Sequence, residues 1–527
     1  MRLSRLISAV SARRATADPT RAVGNAVSGA DPDIRSIHYH SATVRPGGLF
    51  VAVPGLAADG HNYIANAVQQ GAAAVIAQRS AAAGVPVILV DNSRTALAET
   101  AALFHGHPSR RLFITGVTGT NGKTTTTYLL ESMLAGGGEA VGVIGTVNYR
   151  FGGRIFPNPV TTPESLDLQR ILARMAAAAV RHVVMEISSH AIELERLHTC
   201  RLPLGVFTNL TQDHLDFHGD MQHYWACKQR LFTELMPAGC KPRQPAAVVN
   251  MDNPYGRELA RLLPYTVIGV GRDPDLPVRP LNVQIDLNGI RGTLATPAGG
   301  IDFNSRLVGA HNLENILCAA GAAMALALPA AAVRAGIEAT RAVPGRLERV
   351  PDDRGRFVYV DYAHTPDALQ QVLNALNRLK KKRLICVFGC GGDRDRRKRP
   401  IMGAIAMQGA DLAIVTSDNP RSENPLDIIT QVVEGIRRVQ PRAVRREDAA
   451  AGGFQKSYLV EPDRRSAIAA GIHAARAGDI VLIAGKGHET YQIIGGRTLC
   501  FDDRRVAADF LRMNAPQTVP PAAAVDA

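Results

Sequence analysis

The stretch FITGVTGTNGKTTTT, residues 113–127, decides the fold class of this chain. It places an apolar, strand-like segment before a glycine loop and a Lys-Thr pair at the start of a threonine-rich helix. This strand–loop–helix order is the context in which a phosphate-binding loop is credible. The loop departs from the usual Gly-x-x-x-x-Gly-Lys-Ser/Thr spacing, because Val117 stands where the first glycine belongs. The stretch therefore predicts a nucleotide site of a variant type.

The residue types in this loop suit a bound triphosphate. Backbone amides can hold phosphates at a helix N-terminus, where the helix dipole also favours anions. We expect Lys123 to reach the β- and γ-phosphates of ATP and the Thr124 hydroxyl to bind Mg²⁺. A glycine turn with a chance lysine is the alternative interpretation. The predicted ATP contacts in the loop are Gly119, Thr120, Asn121, Gly122, Lys123, Thr124 and Thr125.

Length and composition limit the class of protein. The chain has 527 residues, which at about 100 to 200 residues per domain suggests roughly three domains. It contains no apolar run of about 18 residues, so we expect no contact with a membrane interior. The seven cysteines show no CxxC spacing, which argues against a zinc site or a disulfide framework and fits a reducing cytoplasm.

The formal net charge of +13 suits either nucleic acid or small anionic ligands. Basic runs occur at residues 378–383 and 393–400, but aromatic residues do not alternate with them as in a single-strand binder. We therefore expect a solvated basic face or small-molecule substrates, and no nucleic acid.

Apolar runs bounded by turn residues divide the chain into three α/β regions. Residues 1–108 predict a small α/β domain with a loosely ordered, Arg- and Ala-rich leader, and residues 109–343 a P-loop-type domain with a mostly parallel sheet. A second strand–helix alternation predicts a Rossmann-like domain over residues 344–527, with a frayed tail from about residue 514. The predicted fold class is thus α/β with three domains.

The loop GTNGKT, residues 119–124, resembles the ATP-binding loop of the Mur ligase superfamily. These are the ATP-dependent, amide-forming enzymes of peptidoglycan synthesis, with folylpolyglutamate synthases as relatives. Further matches run from Ser41 to Glu489, so the resemblance covers nearly the whole chain. It implies that ATP phosphorylates a carboxylate, and that an amine then displaces the phosphate.

The resemblance also implies a metal and catalytic set. Glu186, at the end of a predicted strand, would bind a cation beside the nucleotide, and His214 would bind a second Mg²⁺. Lys228 matches a lysine that carries a carbamate, a CO₂ adduct that requires a neutral amine and therefore burial. With Lys123 these form the implied catalytic residues, and with Thr124 the implied metal ligands. Without the resemblance, Glu186 would be a cap or surface carboxylate and Lys228 a lysine on a helix surface.

Three residues beyond the loop are implied at the ATP site. Asn315 lies in a segment matched to the adenine side, while Arg346 and Asp361 match the third-domain side. Asn315 also fits an ordinary apolar helix, and Arg346 a salt bridge near a hinge. ATP held between two domains implies closure during turnover.

The sequence DNPR, residues 418–421, matches the signature of family members that add meso-diaminopimelate. Diaminopimelate has a distal carboxylate that lysine lacks, and a planar guanidinium such as that of Arg421 can bind it with two parallel hydrogen bonds. Taken alone, the motif would be a proline turn with a surface arginine. The residues implied to bind this substrate are Arg394, Asp418, Asn419, Pro420, Arg421, Gly485 and Glu489, with Glu489 suited to an ammonium.

The N-terminal region resembles the part of the family that binds a uridine nucleotide. Ser41 aligns with the serine of an Asp-Ser-Arg motif, but His40 and Ala42 replace its neighbours. Taken singly, the implied hydroxyls would be helix caps. The residues implied to contact the UDP-sugar peptide are Ser41, Thr161, Thr162, Ser188 and Arg196.

Together these matches imply a cytoplasmic ligase, expected to be a monomer, that uses ATP and Mg²⁺. Its implied reaction adds meso-diaminopimelate to the D-glutamate of UDP-N-acetylmuramoyl-L-alanyl-D-glutamate. A lysine-adding member is an alternative, as is a folylpolyglutamate synthase-like enzyme, which would need neither the residue 418–421 pocket nor an N-terminal nucleotide domain. A P-loop ATPase that binds nucleic acid would also suit the basic charge.

Overall fold

The computed structural model describes residues 1–11, 31–55, 58–440, 442–451 and 456–513. Over these ranges the chain forms three successive α/β regions, each built around its own sheet. Among the helices described, none combines the length and apolar character needed to cross a lipid bilayer. The predicted α/β class with mostly parallel sheets is confirmed.

The N-terminal region contains a four-stranded parallel sheet in the order β1-β2-β3-β4. Short 3₁₀ turns lie at Ser41–Thr43, Gly60–Tyr63 and Pro108–Arg110. The elements are α1 (Leu3–Ser11), β1 (Ser36–His38), β2 (Gly48–Val51), α2 (Ile64–Gln69), β3 (Ala72–Ala77), β4 (Val87–Leu89) and α3 (Ser93–Phe104).

The start of the chain is not loosely ordered. Leu3, Leu6 and Val10 share one face of α1 and are buried in the same apolar cluster as residues of α3. The prediction of a loosely ordered leader is therefore wrong for Leu3–Ser11. The apolar residues of this segment recur at helical spacing and pack against α3, although the segment also carries arginine. Residues 12–30 lie outside the described residues, as does the predicted tail from residue 514.

The central region has an eight-stranded sheet in the order β12-β11-β10-β5-β9-β6-β7-β8. Its strands are parallel from β12 to β6, and β7 and β8 add an antiparallel hairpin. A π-helical turn at Leu231–Leu235 joins α8 to α9. The elements are β5 (Phe113–Thr118), α4 (Lys123–Gly136), β6 (Val141–Ile144), β7 (Tyr149–Phe151), β8 (Arg154–Phe156), α5 (Ser165–Ala177), β9 (His182–Glu186), α6 (Ser189–Glu193), β10 (Leu204–Phe207), α7 (Leu215–His218), α8 (Met221–Arg230), α9 (Met236–Cys240), β11 (Ala246–Asn250), α10 (Pro254–Leu262), β12 (Val267–Val270), β13 (Arg279–Asp286), β14 (Gly289–Thr296), β15 (Gly299–Ser305), α11 (Ala310–Ala325) and α12 (Ala330–Ala339).

Strands β13, β14 and β15 form a separate antiparallel sheet that the sequence analysis did not predict. One side chain face of this sheet, including Leu294 and Phe303, packs in the same cluster as Val333 and Ile337 of α12. It therefore shares an apolar core with α12 in the central region.

The C-terminal region has a six-stranded sheet in the order β16-β17-β21-β18-β19-β20, parallel except for β16. Its inner strands are buried along their length, as expected for a parallel sheet covered by helices on both faces. The elements are β16 (Glu348–Val350), β17 (Phe357–Asp361), α13 (Pro366–Leu379), β18 (Leu384–Phe388), α14 (Lys398–Gly409), β19 (Leu412–Val415), α15 (Pro425–Val439), α16 (Arg446–Ala450), β20 (Ser457–Val460), α17 (Arg464–Ala474), β21 (Ile480–Ala484), β22 (Tyr491–Ile494), β23 (Arg497–Cys500) and α18 (Asp503–Met513).

The topology places the candidate residues at the edges of the sheets. The loops after β5, β9 and β10 leave the carboxyl ends of neighbouring parallel strands, so they meet at one edge of the central sheet. The loops after β17, β19 and β21 meet in the same way in the C-terminal sheet.

Candidate active site

The loop between β5 and α4 needs glycine at two positions. Gly119 (φ +150°) and Gly122 (φ +87°) have positive φ angles. A Cβ atom would lie 1.9 Å from Thr208 Oγ1 at Gly119 and 2.2 Å from Asn315 Oδ1 at Gly122. The structure therefore brings Asn315 against the phosphate-type loop, while Thr208 was not predicted.

Side chains after β10 and on α8 hold this loop. The Asn121 backbone N–H donates to Asn209 Oδ1 at 2.9 Å, and Asn121 Nδ2 donates to Thr211 Oγ1 at 3.2 Å. The hydroxyls of Thr120 and Tyr224 lie 3.1 Å apart. The loop is thus fixed by polar contacts on its outer side.

Lys123 begins α4, and its side chain turns back onto the loop. Its Nζ donates to the carbonyl oxygens of Gly119 at 2.8 Å and Thr120 at 2.7 Å. Burial lowers the pKa of Lys123, while the charges of Glu186 and Asp213 act in the opposite direction. Thr124 and Thr125 follow it, both buried in the first turn of the helix.

Glu186 ends β9 and forms the centre of an oxygen-rich cluster. Its Oε2 accepts hydrogen bonds from the hydroxyls of Thr124 and Thr146, each at 2.9 Å, and its Oε1 accepts from the Thr146 backbone N–H at 2.9 Å. The Thr161 hydroxyl lies 3.1 Å from that of Thr146. Carboxylate and hydroxyl oxygens are the ligands that Mg²⁺ prefers, so this donor set fits the metal.

Lys228 is 1% exposed and therefore not a lysine on a helix surface. Its Nζ lies 3.0 Å from the Gly119 carbonyl oxygen, 3.5 Å from Thr118 Oγ1 and 4.9 Å from the centre of the Tyr224 ring. Burial, followed by the nearby charge of Lys123, lowers the pKa of Lys228 well below 10.5. A neutral amine is the form that can react with CO₂.

His214, another of the predicted metal ligands, lies close to Tyr224. It precedes α7, its Nε2 is 3.5 Å from Asp213 Oδ2, and its ring lies edge-on to Tyr224 at 6.1 Å between centroids. Within the described ranges, no group of three or more His, Cys, Asp and Glu side chains is placed to hold a metal ion. His214 and Lys228 both lie next to the ring of Tyr224.

The C-terminal region reaches the loop through two side chains. Arg346 Nη2 lies 3.4 Å from Thr124 Oγ1, and its guanidinium lies 4.8 Å from the centre of the Tyr362 ring. Asp367, which was not predicted, accepts a hydrogen bond from Thr211 Oγ1 at 3.0 Å. Residues of the central and the C-terminal regions therefore both lie beside the nucleotide loop.

Asp361 is held in a turn at the end of β17. Its two carboxylate oxygens accept hydrogen bonds from the backbone N–H groups of Leu347 at 2.7 Å and Ala363 at 2.8 Å. Burial raises the pKa of Asp361, and the charge of Arg346 partly opposes this. The carboxylate therefore shapes the segment that carries Arg346.

The predicted sugar-peptide residues adjoin the Glu186 cluster. Thr162 Oγ1 donates to the Glu186 carbonyl oxygen at 2.9 Å and accepts from the Ser188 N–H at 3.1 Å. Arg196 Nη1 donates to the Thr162 carbonyl oxygen at 2.9 Å, and the Nε of Arg196 lies 3.5 Å from Glu164 Oε2 in an ion pair.

Ser41 lies apart from this group in the hydrogen-bond pattern of the described residues. It opens the 3₁₀ turn after β1, between His40 and Thr43, which both line a cavity of about 550 Å³. The neighbouring Tyr39 hydroxyl donates to Asp167 Oδ2 of α5 at 2.6 Å and so connects the two regions.

The loops after β19 and β21 form a buried polar pocket. The Oδ2 atom of Asp418 is buried and has no hydrogen-bond partner in the part of the chain that the structure describes. It faces Gly485 so closely that a Cβ there would lie 2.4 Å from it. Asn419 Nδ2 donates to Glu489 Oε2 at 2.8 Å. The structure therefore brings Asp418, Asn419, Gly485 and Glu489 close together.

Arg421 and Arg394 are placed differently. Arg421 has a φ of +55°, and its Nη1 donates to the Gly392 carbonyl oxygen at 2.6 Å on the wall of the pocket. The Pro420 carbonyl oxygen lies against the same glycine, where a Cβ would be 1.9 Å from it. Arg394 is exposed and donates to the Asp393 carbonyl oxygen at 3.0 Å.

The basic run at residues 393–400 is not a wholly solvated face. Arg399 is 0% exposed and donates to both carboxylate oxygens of Glu423, at 2.8 and 3.0 Å. This pair, with the Asp393 N–H, lowers the pKa of Glu423 to about 2. The charge of Arg399 is therefore used inside the protein.

A glycine loop carrying a lysine, an oxygen-rich cluster beside it, and a separate polar pocket on the facing α/β region are the features of an ATP-dependent ligase. Family profiles match nearly all of the chain: Mur ligase family, catalytic domain, over residues 33–105; Mur ligase middle domain over 117–323; and Mur ligase, glutamate ligase domain, over 345–487. The chain belongs to the Mur ligase family.

Curated relatives agree along almost the full length. The UDP-N-acetylmuramoyl-L-alanyl-D-glutamate--2,6-diaminopimelate ligase of Geobacter metallireducens is 49% identical over 487 residues, which are 92% of this chain and 95% of the relative. The enzyme of the same name from Solibacter usitatus is 44% identical over 92% of this chain and 94% of its own.

Solved structures give the same picture. A structure of a ligase with this name has a TM-score of 0.64 at 30% identity and covers 92% of this chain and 97% of its own. MurF ligase from Thermotoga maritima in complex with ADP has a TM-score of 0.59 at 19% identity, covering 91% of this chain and 99% of its own. Folylpolyglutamate synthase from Mycobacterium tuberculosis complexed with ADP has a TM-score of 0.56 at 20% identity, covering 74% and 91%. The last two likenesses concern the fold alone.

Proposed function

We propose that this protein adds meso-diaminopimelate to the D-glutamate of UDP-N-acetylmuramoyl-L-alanyl-D-glutamate, with ATP converted to ADP and phosphate. The observation that carries this proposal is the pocket formed by Asp418, whose buried Oδ2 has no hydrogen-bond partner among the described residues, and by the Asn419–Glu489 pair. Relatives that are 44% and 49% identical carry the name of this activity.

The loop after β5 is the proposed ATP site. Phosphorylating a carboxylate brings two anions together, and Lys123 would offset their repulsion by turning its ammonium from the loop carbonyls to the phosphates. Asn315, Arg346 and Asp361 complete the site from the two regions that flank the loop.

Magnesium is a proposed cofactor of this site. Thr124 and Glu186 would hold one ion, and Lys228 as its carbamate together with His214 would hold the second. Bound Mg²⁺ would supply charge stabilisation for the phosphoryl group. The burial of the Lys228 amine, which holds its pKa well below 10.5, supports the carbamate, which would add two oxygens to the cluster.

The substrates would meet between the three sheets. Thr161, Thr162, Ser188 and Arg196 would orient the sugar peptide so that its γ-carboxylate faces the loop, with Ser41 at the uridine end. The amine of diaminopimelate would attack the acyl phosphate, and the tetrahedral intermediate would release phosphate and leave an amide. Holding both reactants in one complex replaces a bimolecular encounter with a bound one.

In the amino-acid pocket, opposite charges would set the specificity. Asp418 and Glu489 would bind the distal ammonium of diaminopimelate, and Arg421 its distal carboxylate with two parallel hydrogen bonds. Arg394, Pro420 and Gly485 would form the rest of the wall. Lysine lacks the distal carboxylate and would leave Arg421 unpaired, which costs affinity.

The proposed domain boundaries lie at residues 108/109 and 343/344, between the sheets. The seven cysteines are all unpaired, which supports a reducing cytoplasm. We further propose that the protein is a monomer. Its substrates would be small molecules, and it would bind neither nucleic acid nor a membrane.

The deciding experiment measures phosphate release with ATP, Mg²⁺ and the UDP-muramoyl dipeptide, with either meso-diaminopimelate or L-lysine as the amine. Strong dependence on diaminopimelate is expected. An equal response to lysine would favour a lysine-adding ligase, and no response to either would favour the folate-type alternative. Lys123→Ala should abolish phosphate release, whereas Lys381→Ala, at an exposed lysine, should not.

A further inference from the structure

A buried lysine, Lys486, lies inside the amino-acid pocket and has no role in the function proposed so far. It follows β21 and its side chain is 0% exposed. Its Nζ lies 3.4 Å from Asn419 Oδ1 and 3.3 Å from Glu489 Oε2, and it also donates to the Tyr491 carbonyl oxygen. The Tyr491 ring covers it at 5.3 Å from the ring centre. The ammonium is thus enclosed by acceptors that belong to the pocket.

Lys486 determines which way the Asn419 amide points. Asn419 Oδ1 accepts from Lys486 Nζ and from the Ile493 N–H at 3.0 Å, while Nδ2 donates to Glu489 at 2.8 Å. Reversing the amide would put its N–H groups against two donors and its oxygen against a carboxylate. Nδ2 is thereby kept as the donor of Asn419, and within the described residues its hydrogen bond goes to Glu489.

Lys486 also holds Glu489 by opposite charge. A buried cation is stable only with an anion or several acceptors around it, and removing one partner of such a pair leaves the other unpaired. Glu489 is 17% exposed, so its carboxylate lies at the pocket surface while Lys486 supports it from behind. The two pocket residues are therefore fixed by one group that lies deeper than both.

We propose that Lys486 is a positioning residue of the amino-acid pocket. It orients the Asn419 amide towards a substrate carboxylate and the Glu489 carboxylate towards a substrate ammonium, so that a ligand with both groups at one end is favoured. This inference rests on the proposed function, because it assigns Lys486 to the binding of the diamino acid.

The test replaces Lys486 by methionine, which has a similar length and no charge. Lys486→Met should raise the KM for meso-diaminopimelate by about tenfold or more, since one partner of a buried, hydrogen-bonded charge pair is lost. The kcat at saturating diaminopimelate should change less, and the KM for ATP should stay unchanged. Lys382→Met, at an exposed lysine of the same region, is the matched control and should leave every parameter unchanged.

A double-mutant cycle with Glu489→Gln separates positioning from a general effect on folding. If Lys486 acts through Glu489, the rise in KM in the double variant should be much smaller than the product of the two single effects. Multiplicative effects, an unchanged KM for diaminopimelate, or equal rises in the KM for ATP and diaminopimelate would each overturn the inference. Absence of diaminopimelate-dependent phosphate release in the unchanged protein would instead refute the proposed function, and this inference with it.

Discussion

The ammonium groups of Lys123 and Lys228 converge on one acceptor, the carbonyl oxygen of Gly119, at 2.8 and 3.0 Å. Two ammonium groups beside the same carbonyl oxygen repel each other. This repulsion favours the neutral form of Lys228. Burial and the charge of Lys123 together hold the pKa of Lys228 well below 10.5. The same arrangement that places a cation for phosphates therefore prepares the second lysine to react with CO₂.

Lys228→Met should stabilise the protein at neutral pH in CO₂-free buffer. Because the folded pKa of Lys228 is lowered, the unfolded chain binds more protons between that pKa and 10.5, so stability rises with pH in this window. The gain should be largest near neutral pH and should disappear as the pH rises towards 10.5. Urea unfolding at neutral pH and at about pH 10 measures it, and the variant should lose most of this pH dependence. A less stable variant with an unchanged pH dependence would contradict the account, and Lys381→Met is the exposed control.

The architecture of the sheets could be predicted because it depends on local pattern. The runs around β9, β10, β17, β18 and β21 are short, apolar and rich in β-branched residues, as buried parallel strands require. Candidate site residues such as Glu186 and Asp418 stand at or just after the ends of buried strands. Their position at the carboxyl edge of a sheet could therefore be predicted from the sequence.

Contacts between distant parts of the chain could not be predicted. Thr146 meets Glu186 across 40 residues, and Asp367 meets Thr211 across 156 residues. Neither Thr146 nor Asp367 stands in a local pattern that distinguishes it from other polar residues. Lys486 was missed for another reason, because its neighbours Gly485 and Glu489 matched the family contacts and the lysine between them was left without a role. The sheet of β13 to β15 was missed because its strands carry glycine, threonine and exposed polar residues.

Gly122→Ala should impair ATP binding far more than it impairs folding. Alanine would be strained at φ +87°, and its Cβ would meet Asn315 Oδ1 at 2.2 Å, so the loop or Asn315 must move. Gly138→Ala is the matched control, because Gly138 has a φ of +82° with nothing within 4 Å of a Cβ. Both variants should lose about 1 to 2 kcal/mol of stability from backbone strain. Only Gly122→Ala should weaken ATP binding in titration calorimetry, by about tenfold or more, and equal ATP affinities would contradict the assigned loop.

Arg421→Lys should reduce the preference for meso-diaminopimelate over L-lysine. A lysine ammonium cannot form the two parallel hydrogen bonds that a guanidinium offers to the distal carboxylate. We expect kcat/KM for diaminopimelate to fall by about tenfold or more, while kcat/KM for L-lysine stays near its original value. Arg397→Lys, at a side chain that is 96% exposed, should change neither value. Equal losses for both amines would show that Arg421 supports the pocket without reading the carboxylate.

Glu423→Gln should destabilise the C-terminal region and remove part of its sensitivity to acid. Glu423 is the anionic partner of the fully buried Arg399, and the amide would leave that guanidinium with Gln431 Oε1 at 3.0 Å but without a carboxylate. Because the folded pKa of Glu423 is lowered from 4.5 to about 2, its contribution to stability is present above 4.5 and is lost as the pH falls towards 2. Urea unfolding from about pH 3 to pH 6 should therefore give a steeper pH dependence for the unchanged protein than for the variant. Glu434→Gln, at an exposed carboxylate on α15, is the control and should retain the original slope; a Glu423→Gln variant with that same slope would contradict the role assigned to the pair.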